Sequence, residues 1–462
     1  MTLKPLSLSR YFKSGEPLVL RLHKFVVKGL FGEFDHEIPF KDEERITALI
    51  GPNGLGKTAC LKLINALFRK QWSVFGSTEF HEIEYVFNDG SSVWVTHQLG
   101  VENETEVSDA IGVRFVTFDS AGAELDSWSP RSADESLGKI TRIENYLPFL
   151  TRTSPRSWSH DLTGQVFSLQ EIYEYYNDQL PDHITRSLHS TPPASLAHLI
   201  GQVDCHLIET QRLVVFHPDD VRRTSTASSS LAISRKAQTL KTIIAKELAK
   251  YAATSQSLDR SFPRRVLQLG KISPLADIST RLSDLEDTRR ELTEAGILDQ
   301  EADAALPPIT EIDSAIAAVM NVYLDDTKKK LDVLERLQSR ILLFIELIDN
   351  RFDPKFVKVD KSVGFIVRRS SEVIVPLDKL SSGEQHQLVL FFELLFELKE
   401  NALILIDEPE LSLHISWQKK FISDLERIIS LNNFDVLLAT HSPQLVGEWE
   451  HLVVELGDVD PA

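Results

Sequence analysis

The sequence predicts an α/β fold in which a parallel core sheet and an antiparallel β part are separated by a large helical insertion. Three short apolar runs, typical of strands buried in a parallel sheet, support the core: Ile46–Ile50, Ala402–Ile406 and Val436–Ala439. Helical patterns follow the first two runs, over Ala59–Phe68 and Leu411–Ile429. Strands that alternate with helices at both ends of the chain indicate one α/β fold with an insertion between its halves.

Paired strand patterns in the first part of the chain predict the antiparallel β part. Four segments have a strand-like pattern: Leu18–Val27, Phe34–Phe40, His81–Phe87 and Ser92–His97. Asn88-Asp89-Gly90 joins the last two, and Asp-Gly is a strong signal for a hairpin turn. A second hairpin is expected around Asp119–Gly122.

The middle of the chain is predicted to be mostly helical. Leu137–Ile200 has a helical pattern interrupted by prolines, and Val203–Val214 reads as a strand that runs into a loop. Long helices are expected over Leu231–Ala252, Leu275–Leu298 and Ile312–Arg351. The last would extend about 60 Å at 1.5 Å per residue. It is either one limb of a helical arm or a helix packed on its own head domain.

Three segments follow from this pattern. Residues 1–220 form the first lobe of a head, residues 221–351 an insert or short arm, and residues 352–462 the second lobe. The second lobe is expected to contain a hairpin over Phe356–Val359 and Gly364–Val367, then a helix over Glu384–Lys399.

Charge and composition exclude several classes of protein. The formal net charge is −18, and binding nucleic acid through the overall field requires an excess of Lys and Arg. Cys60 and Cys205 are too few and too far apart for a disulfide framework or a cysteine zinc site. Neither a signal-peptide core nor a run of about 18 apolar residues is found. A cytoplasmic protein without membrane contact is expected.

A phosphate-binding loop is predicted between the first buried strand and its helix. Eight residues fit the pattern G-x-x-x-x-G-K-[ST]: Gly51, Pro52, Asn53, Gly54, Leu55, Gly56, Lys57 and Thr58. The glycines let backbone N–H groups cradle phosphates at a helix N-terminus. Lys57 is expected to reach the β- and γ-phosphates, and the Thr58 hydroxyl to hold Mg²⁺. The motif therefore predicts ATP and Mg²⁺ as ligands.

Two acidic residues follow the second buried strand. Asp407 is expected at the phosphate edge of the sheet, where it can hold Mg²⁺ through water. Glu408 is then placed to orient or deprotonate the attacking water. An acidic loop after a strand is the alternative, and the phosphate loop argues against it.

Ser381-Ser382-Gly383-Glu384 precedes a predicted helix. Ser and Gly at a helix start can donate hydrogen bonds to an anion. Simple capping of the helix by Ser381 or Ser382 explains the serines equally well, but it does not explain the order in which the motifs occur.

That order resembles an ABC-type ATPase. The phosphate loop, Ser-Ser-Gly-Glu, strand-Asp-Glu and Thr440-His441-Ser442 follow one another, and the resemblance covers residues 18–120 and 352–446. It implies that Ser381, Ser382 and Gly383 form the signature motif, which caps the γ-phosphate of the opposite protomer in a head-to-head dimer. It also implies that His441 is a switch histidine that contacts the γ-phosphate, which makes Glu408 and His441 the catalytic pair.

Three positions in the resemblance are less regular. Ser382 stands where the signature usually has glycine, and His414 stands where SMC-class proteins usually have Asp in the loop after the second strand. The resemblance also requires a glutamine that reaches Mg²⁺ and the γ-phosphate. Gln211 is the predicted residue, with Gln165 and Gln202 as rivals.

The insertion indicates which ABC-type ATPases are most similar. The signature follows Thr58 by about 320 residues, which resembles the SMC, RecF and OLD-type class rather than transporter subunits. The stretch after Pro443 is too short for the Toprim domain of OLD-type nucleases. Any nuclease is therefore expected on a second protein.

Three segments resemble the ATPase subunits of bacterial anti-phage systems, namely Leu380–Phe396, Ile406–Gln418 and Ala439–Gln444. The segments resemble the ATPase of Septu (PtuA-type, including retron-associated versions) and that of its sibling system PARIS. The resemblance implies an HNH or Toprim effector nuclease as partner, with nucleic acid contacted indirectly. The expected function is a regulatory ATPase that assembles and controls this nuclease. The alternative is a RecF- or SMC-like ATPase of DNA repair or chromosome organisation.

Overall fold

The computed structural model describes residues 19–97, 112–130, 143–147, 149–154, 157–161, 164, 166–176, 180, 191–208, 228–267, 275–299, 314–412 and 415–457. The chain divides into two compact units. The terminal unit comprises Met1–Arg212, Phe216–Ser225 and Lys399–Ala462, and the insert unit comprises Leu213–Val215 and Thr226–Leu398. Both ends of the chain therefore belong to one unit.

The part of the chain that the structure describes contains both β-strands and α-helices. The described strands are β1 (Leu22–Leu30), β2 (Phe34–Pro39), β3 (Ile46–Ile50), β4 (Glu82–Phe87), β5 (Ser92–His97), β6 (Val113–Phe118), β7 (Glu124–Trp128), β8 (Leu150–Ser154), β9 (Ser157–His160), β10 (Val166–Ser168), β11 (Cys205–Ile208), β12 (Lys355–Asp360), β13 (Gly364–Arg369), β14 (Ile374–Val375), β15 (Leu403–Asp407), β16 (Asp435–Thr440) and β17 (Val453–Glu455). The described α-helices are α1 (Lys57–Arg69), α2 (Trp72–Ser77), α3 (Leu169–Tyr176), α4 (Ala194–Gly201), α5 (Ser228–Leu267), α6 (Leu275–Glu294), α7 (Ser314–Phe352), α8 (Ser382–Phe392), α9 (Ile415–Gln418), α10 (Phe421–Asn432) and α11 (Pro443–Val446).

A parallel sheet forms the centre of the terminal unit. Its described strands have the order β11-β15-β16-β3-β17, and each neighbouring pair is parallel. The register pairs Asp407 with Ala439 and Thr440 with Ile50. The carboxyl ends of β15, β16 and β3 therefore meet at one edge. The three apolar runs of the sequence become these strands because both of their faces are buried.

An antiparallel sheet, with the order β2-β1-β4-β5-β6-β7, forms the second layer of this unit. Its inward residues share one core with α1 and the parallel sheet, including Phe25, Tyr85 and Ile64. The guanidinium of Arg21, just before β1, donates two hydrogen bonds to the carboxylate of Asp435 at the start of β16, which links the two sheets. Together with the helical insertion, the two sheets confirm the predicted fold class.

The insert unit contains the predicted long helices and the predicted hairpin. The helix α7 packs against α5 and α6, and the sheet β12-β13-β14 packs against α5 and α7. Arg265 of α5 pairs with Asp326 of α7, whose side chain is buried. The α8 helix continues into a π-helical turn over Glu393–Glu397, where Lys236 of α5 bridges both glutamates. The predicted helix over Glu384–Lys399 is therefore present but changes its hydrogen bonding at Glu393.

The units divide at different residues from the three predicted segments. Because the sheet β12-β13-β14 packs on α5 and α7, residues 352–398 belong to the insert unit, whereas the prediction assigned them to the second lobe. Tertiary packing of this kind cannot be read from local sequence pattern.

The helical prediction for Leu137–Ile200 was wrong in part. Within its described residues, β8, β9 and β10 form an antiparallel sheet, and helices are confined to α3, α4 and one short 3₁₀ turn. The sheet forms because Leu150, Trp158 and Phe167 reach a small separate core, which a pleated hairpin can fill from one face.

Two further predicted elements have different bounds. The helix expected over Leu411–Ile429 is replaced by a 3₁₀ turn over Pro409–Ser412, then α9 and α10, because the Lys420 N–H donates to the Trp417 carbonyl and closes α9. The strand expected over Val203–Val214 is described as β11 only, and residues after 208 lie outside the described part of the chain. None of the described helices is long and apolar enough to cross a bilayer.

Gly364→Ala is expected to destabilise the insert unit strongly. Gly364 has a φ of 89°, and a Cβ there would lie 1.8 Å from the Ala237 carbonyl oxygen of α5, which is backbone and cannot rotate away. Gly122→Ala is the control, because Gly122 has a similar φ of 79° with nothing within 4 Å of the added Cβ. We expect about 1–2 kcal/mol for the control from the left-handed backbone alone, and at least about 3 kcal/mol for Gly364→Ala. Equal melting temperatures for the two variants would contradict this close approach.

Candidate ATP-binding site

Three loops of the terminal unit meet at the carboxyl edge of its parallel sheet. Residues 51–56 follow β3 and lead into α1, which begins at Lys57. Asp407 ends β15, and His441 directly follows β16. Strand register thus places these three loops side by side, although they are far apart in the sequence.

The glycines of the phosphate loop have different roles. Gly54 has a φ of 92° with no atom within 4 Å of an added Cβ, so its open side can receive a ligand. Gly51 is instead required by packing, and Gly56 combines a φ of 87°, which favours glycine by itself, with a close neighbour. A Cβ on Gly51 would lie 2.5 Å from the Leu456 carbonyl oxygen, and one on Gly56 would lie 2.5 Å from Leu30 Cδ2. The surrounding protein therefore fixes the conformation of the loop and leaves the space beside Gly54 open.

An open cleft of about 580 Å³ adjoins this loop in the terminal unit. Its lining includes Gly51, Pro52 and Asn53 from the loop, and His441 from the end of β16. Leu55 is buried beneath it. The cleft brings the residues of the phosphate loop and the predicted switch histidine to one space that a nucleotide can enter.

Lys57 is held inside the loop. Its Nζ donates to the carbonyl oxygens of Gly51, at 2.5 Å, and Pro52, at 2.9 Å. Burial lowers the pKa of Lys57, and the nearby charges of Glu408, Glu410 and Asp407 oppose this shift. A buried ammonium with neutral carbonyl partners is set up to bind an anion, because phosphate oxygens supply the charge that the carbonyls lack.

Thr58 and Asp407 form a donor set that fits Mg²⁺. The Thr58 hydroxyl lies 3.0 Å from Asp407 Oδ1 and 3.1 Å from Oδ2. Burial raises the pKa of Asp407, against the hydrogen bond from Thr58 and the charge of Lys62. A divalent cation would relieve this cost, and Mg²⁺ in nucleotide sites typically takes one or two protein oxygens, with phosphates and water as the rest.

His441 stands between a cation and a carboxylate. Its Nδ1 lies 3.0 Å from Lys57 Nζ, and its Nε2 lies 3.2 Å from Glu408 Oε1. Because an ammonium only donates hydrogen bonds, Nδ1 accepts, and the neutral ring donates from Nε2 to Glu408. Glu408 itself has a φ of 45°, a left-handed backbone that costs roughly 1–3 kcal/mol for a residue other than glycine. Strained backbone of this kind is frequent at functional sites.

The predicted signature residues lie at the start of α8 in the insert unit. Ser381 and Ser382 are exposed, and Gly383 is half-buried. Ser381 caps the helix, because its Oγ accepts from the Glu384 N–H while the Glu384 carboxylate accepts from the Ser381 N–H. Capping is therefore a real structural role of Ser381, and it leaves the hydroxyl of Ser382 at an exposed helix start.

The predicted glutamine is not among the described residues. Gln211 and its rival Gln165 lie outside them, as does His414. The second rival, Gln202, is exposed in the turn between α4 and β11. Its role, and that of Gln211, stays a prediction.

Sequence reasoning missed residues that support the site from behind. The buried His36 of β2 donates from Nε2 to the Leu55 carbonyl at 2.6 Å, and so holds the phosphate loop. Glu410 accepts hydrogen bonds from Thr440 and His441. Glu410 was visible in the sequence as an acid close to Asp407 and Glu408. Its hydrogen-bond partners lie about 30 residues away, and no local pattern indicated these contacts.

A comparison with protein families identifies the second half of the chain. Residues 222–446 match the family model described as the AAA ATPase domain. This match, which spans just under half of the chain, supports ATPase activity. The matched segment includes the predicted signature motif, Asp407, Glu408 and His441, and it begins after the phosphate loop.

A curated relative and solved structures are also similar. The Retron Ec83 probable ATPase of Escherichia coli is 30% identical over 131 residues, which are 26% of this chain and 24% of the relative. The match thus spans about a quarter of that protein. The Smc head domain of Pyrococcus furiosus, bound to the C-terminal domain of ScpA, is 12% identical over 95% of this chain and 94% of its own, with a TM-score of 0.33. The SMC head domain of Thermotoga maritima is 12% identical over 92% and 91%, with a TM-score of 0.29.

Glu408→Gln is expected to separate ATP binding from hydrolysis. The amide keeps the size of the side chain but removes the base, so kcat should fall at least about 100-fold. ATP should still bind, because Lys57 and the loop are unchanged. Glu448→Gln, an exposed acid of the same unit, is the control and should hydrolyse normally. Labelled-ATP binding and phosphate release measure the two effects, and normal hydrolysis by Glu408→Gln would remove the catalytic role from Glu408.

Proposed function

We propose that this ATPase is the regulatory subunit of a bacterial anti-phage defence complex and that it assembles and controls a separate effector nuclease. One observation supports the proposal most. A site with Lys57, Asp407, Glu408 and His441 at one sheet edge occurs in a chain that matches a retron ATPase. The Septu-type resemblance of the motifs points to the same class of system.

ATP binding requires the loop and its lysine. The β- and γ-phosphates replace the carbonyl oxygens of Gly51 and Pro52 as partners of Lys57 Nζ. Thr58 and Asp407 would hold Mg²⁺, which would neutralise charge on the phosphates. The open side of Gly54 allows the backbone to approach the phosphates closely.

Hydrolysis requires a positioned base. Glu408 Oε orients a water molecule whose oxygen attacks the γ-phosphorus, while the bond to the β-phosphate oxygen breaks and the proton of the water passes to the carboxylate. His441 donates from Nε2 to Glu408. It can turn this donor to a γ-phosphate oxygen when ATP is present, which leaves Glu408 available to the water.

A second copy of the chain completes the site. In the resembling family the signature of one head caps the γ-phosphate that the other head holds. Ser382, exposed at the start of α8, and the N–H groups of that helix start are suited to such a contact. ATP would then hold two chains together, and its hydrolysis would release them.

Control of the effector nuclease requires only a small free energy of coupling between ATP binding and nuclease binding. A tenfold change in affinity for the nuclease corresponds to about 1.4 kcal/mol, which is small beside the energy of binding ATP between two heads. We assign the docking of the effector to the insert unit, whose helices α5, α6 and α7 are not needed to hold nucleotide.

The proposal is tested by purifying the ATPase alone and together with the product of the adjacent reading frame. Each preparation is incubated with phage DNA, host DNA and tRNA, with and without ATP. We expect cleavage only in the presence of the partner, with a dependence on ATP that Glu408→Gln alters. Cleavage by the ATPase alone would contradict the proposal. Stable DNA binding by the ATPase without any partner would instead support the repair or chromosome-organising alternative.

A further inference from the structure

One carboxylate connects the loop after β15 with the end of β16. Glu410 Oε1 accepts a hydrogen bond from the Thr440 hydroxyl at 2.7 Å and another from the His441 backbone N–H at 2.6 Å. Thr440 is fully buried as the last residue of β16. Both donors therefore lie at the point where the chain leaves the sheet and turns towards the imidazole of His441.

Glu410 is itself held in place. It lies in the 3₁₀ turn Pro409–Ser412, which directly follows Glu408. The Glu408 N–H donates to the Ala439 carbonyl at 2.9 Å, so the start of this turn is fixed to β16. A second link lies further along, where the Ser442 hydroxyl donates to Gln418 Oε1 at 2.8 Å. The two loops are thus joined on both sides of His441.

The two hydrogen bonds to Oε1 hold the Glu410 side chain in place. Its other oxygen, Oε2, is buried and accepts no hydrogen bond from any residue that the structure describes. The two ring nitrogens of His441, by contrast, contact Lys57 Nζ at 3.0 Å and Glu408 Oε1 at 3.2 Å. Its orientation therefore depends on where its backbone is fixed.

We propose that Glu410 is a positioning residue for ATP hydrolysis. By fixing Thr440 and the His441 backbone, Oε1 sets the imidazole at the distance from which it can reach both Glu408 and the γ-phosphate. Glu410 acts through His441 and touches neither ATP nor the attacking water. This inference rests on the proposed role of His441 in hydrolysis.

The first test compares two variants of Glu410. Glu410→Gln places an amide oxygen where Oε1 lies, keeps both hydrogen bonds and should retain kcat within about threefold. Glu410→Ala removes both bonds, and kcat should fall at least about tenfold while KM for ATP changes less than about threefold. Glu448→Ala is the control, because it removes an exposed acid of the same unit. Wild-type kcat in Glu410→Ala, or equal losses in the Ala and Gln variants, would overturn the proposal.

A double-mutant cycle distinguishes positioning from general destabilisation. Single-turnover hydrolysis is measured for His441→Ala, Glu410→Ala and the double variant. If Glu410 acts through His441, the double variant should be no slower than His441→Ala. If Glu410→Ala slows the His441→Ala enzyme by the same factor as it slows the wild type, the inference is wrong while the role of His441 stands. Wild-type hydrolysis by His441→Ala would contradict the proposed role of His441 in hydrolysis, on which this inference rests.

A second pair of variants covers the case in which Glu410→Ala does not fold. Thr440→Val keeps the shape of a buried strand residue but removes the hydroxyl that donates to Glu410, whereas Thr440→Ser keeps it. We expect Thr440→Val to lower kcat and Thr440→Ser to stay close to wild type, with melting temperatures recorded for both. Equal kcat values for the two variants would overturn the proposal.

Discussion

The parallel pairing of β16 with both β15 and β3 is the constraint on which the ATP site depends. Asp407 pairs with Ala439 and Thr440 pairs with Ile50, so three loops emerge at one height from the same sheet edge. A shift of one residue in either pairing would turn the ends of these strands to the opposite face. Lys57, Asp407 and His441 meet because of this register, since they are distant in the sequence.

Burial then gives these residues their chemistry. The ammonium of Lys57 and the carboxylate of Asp407 both lie at the edge of the core, where losing water disfavours the charged form of each. Each has partners that satisfy it without ligand, namely the loop carbonyls for Lys57 and the Thr58 hydroxyl for Asp407. Phosphates and a divalent cation supply stronger partners for the same two groups, so the site is arranged to gain by binding nucleotide.

Local sequence motifs predicted most of the residues at the carboxyl edge of the parallel sheet, but few of the residues that hold them in place. The phosphate loop and the strand before Asp407 were evident because glycine spacing and apolar runs are local signals. The role of Glu410 was missed because its hydrogen-bond donors lie at the end of β16, about 30 residues further along the chain. The sheet of β8, β9 and β10 was mistaken for helix because its core is small and its apolar residues are few. The boundary of the insert unit was displaced because β12-β13-β14 packs on helices that precede it in the chain.

The ATP site that we propose two chains to share can be tested directly by complementation between two inactive variants. Lys57→Ala removes the main phosphate contact of one chain, and Gly383→Asp places an acid in the signature of the other. A mixed dimer would contain one intact site, so random pairing should restore about a quarter of wild-type activity per chain. Each variant alone should stay inactive. Failure to regain hydrolysis, with mixed dimers shown to form, would contradict the shared site.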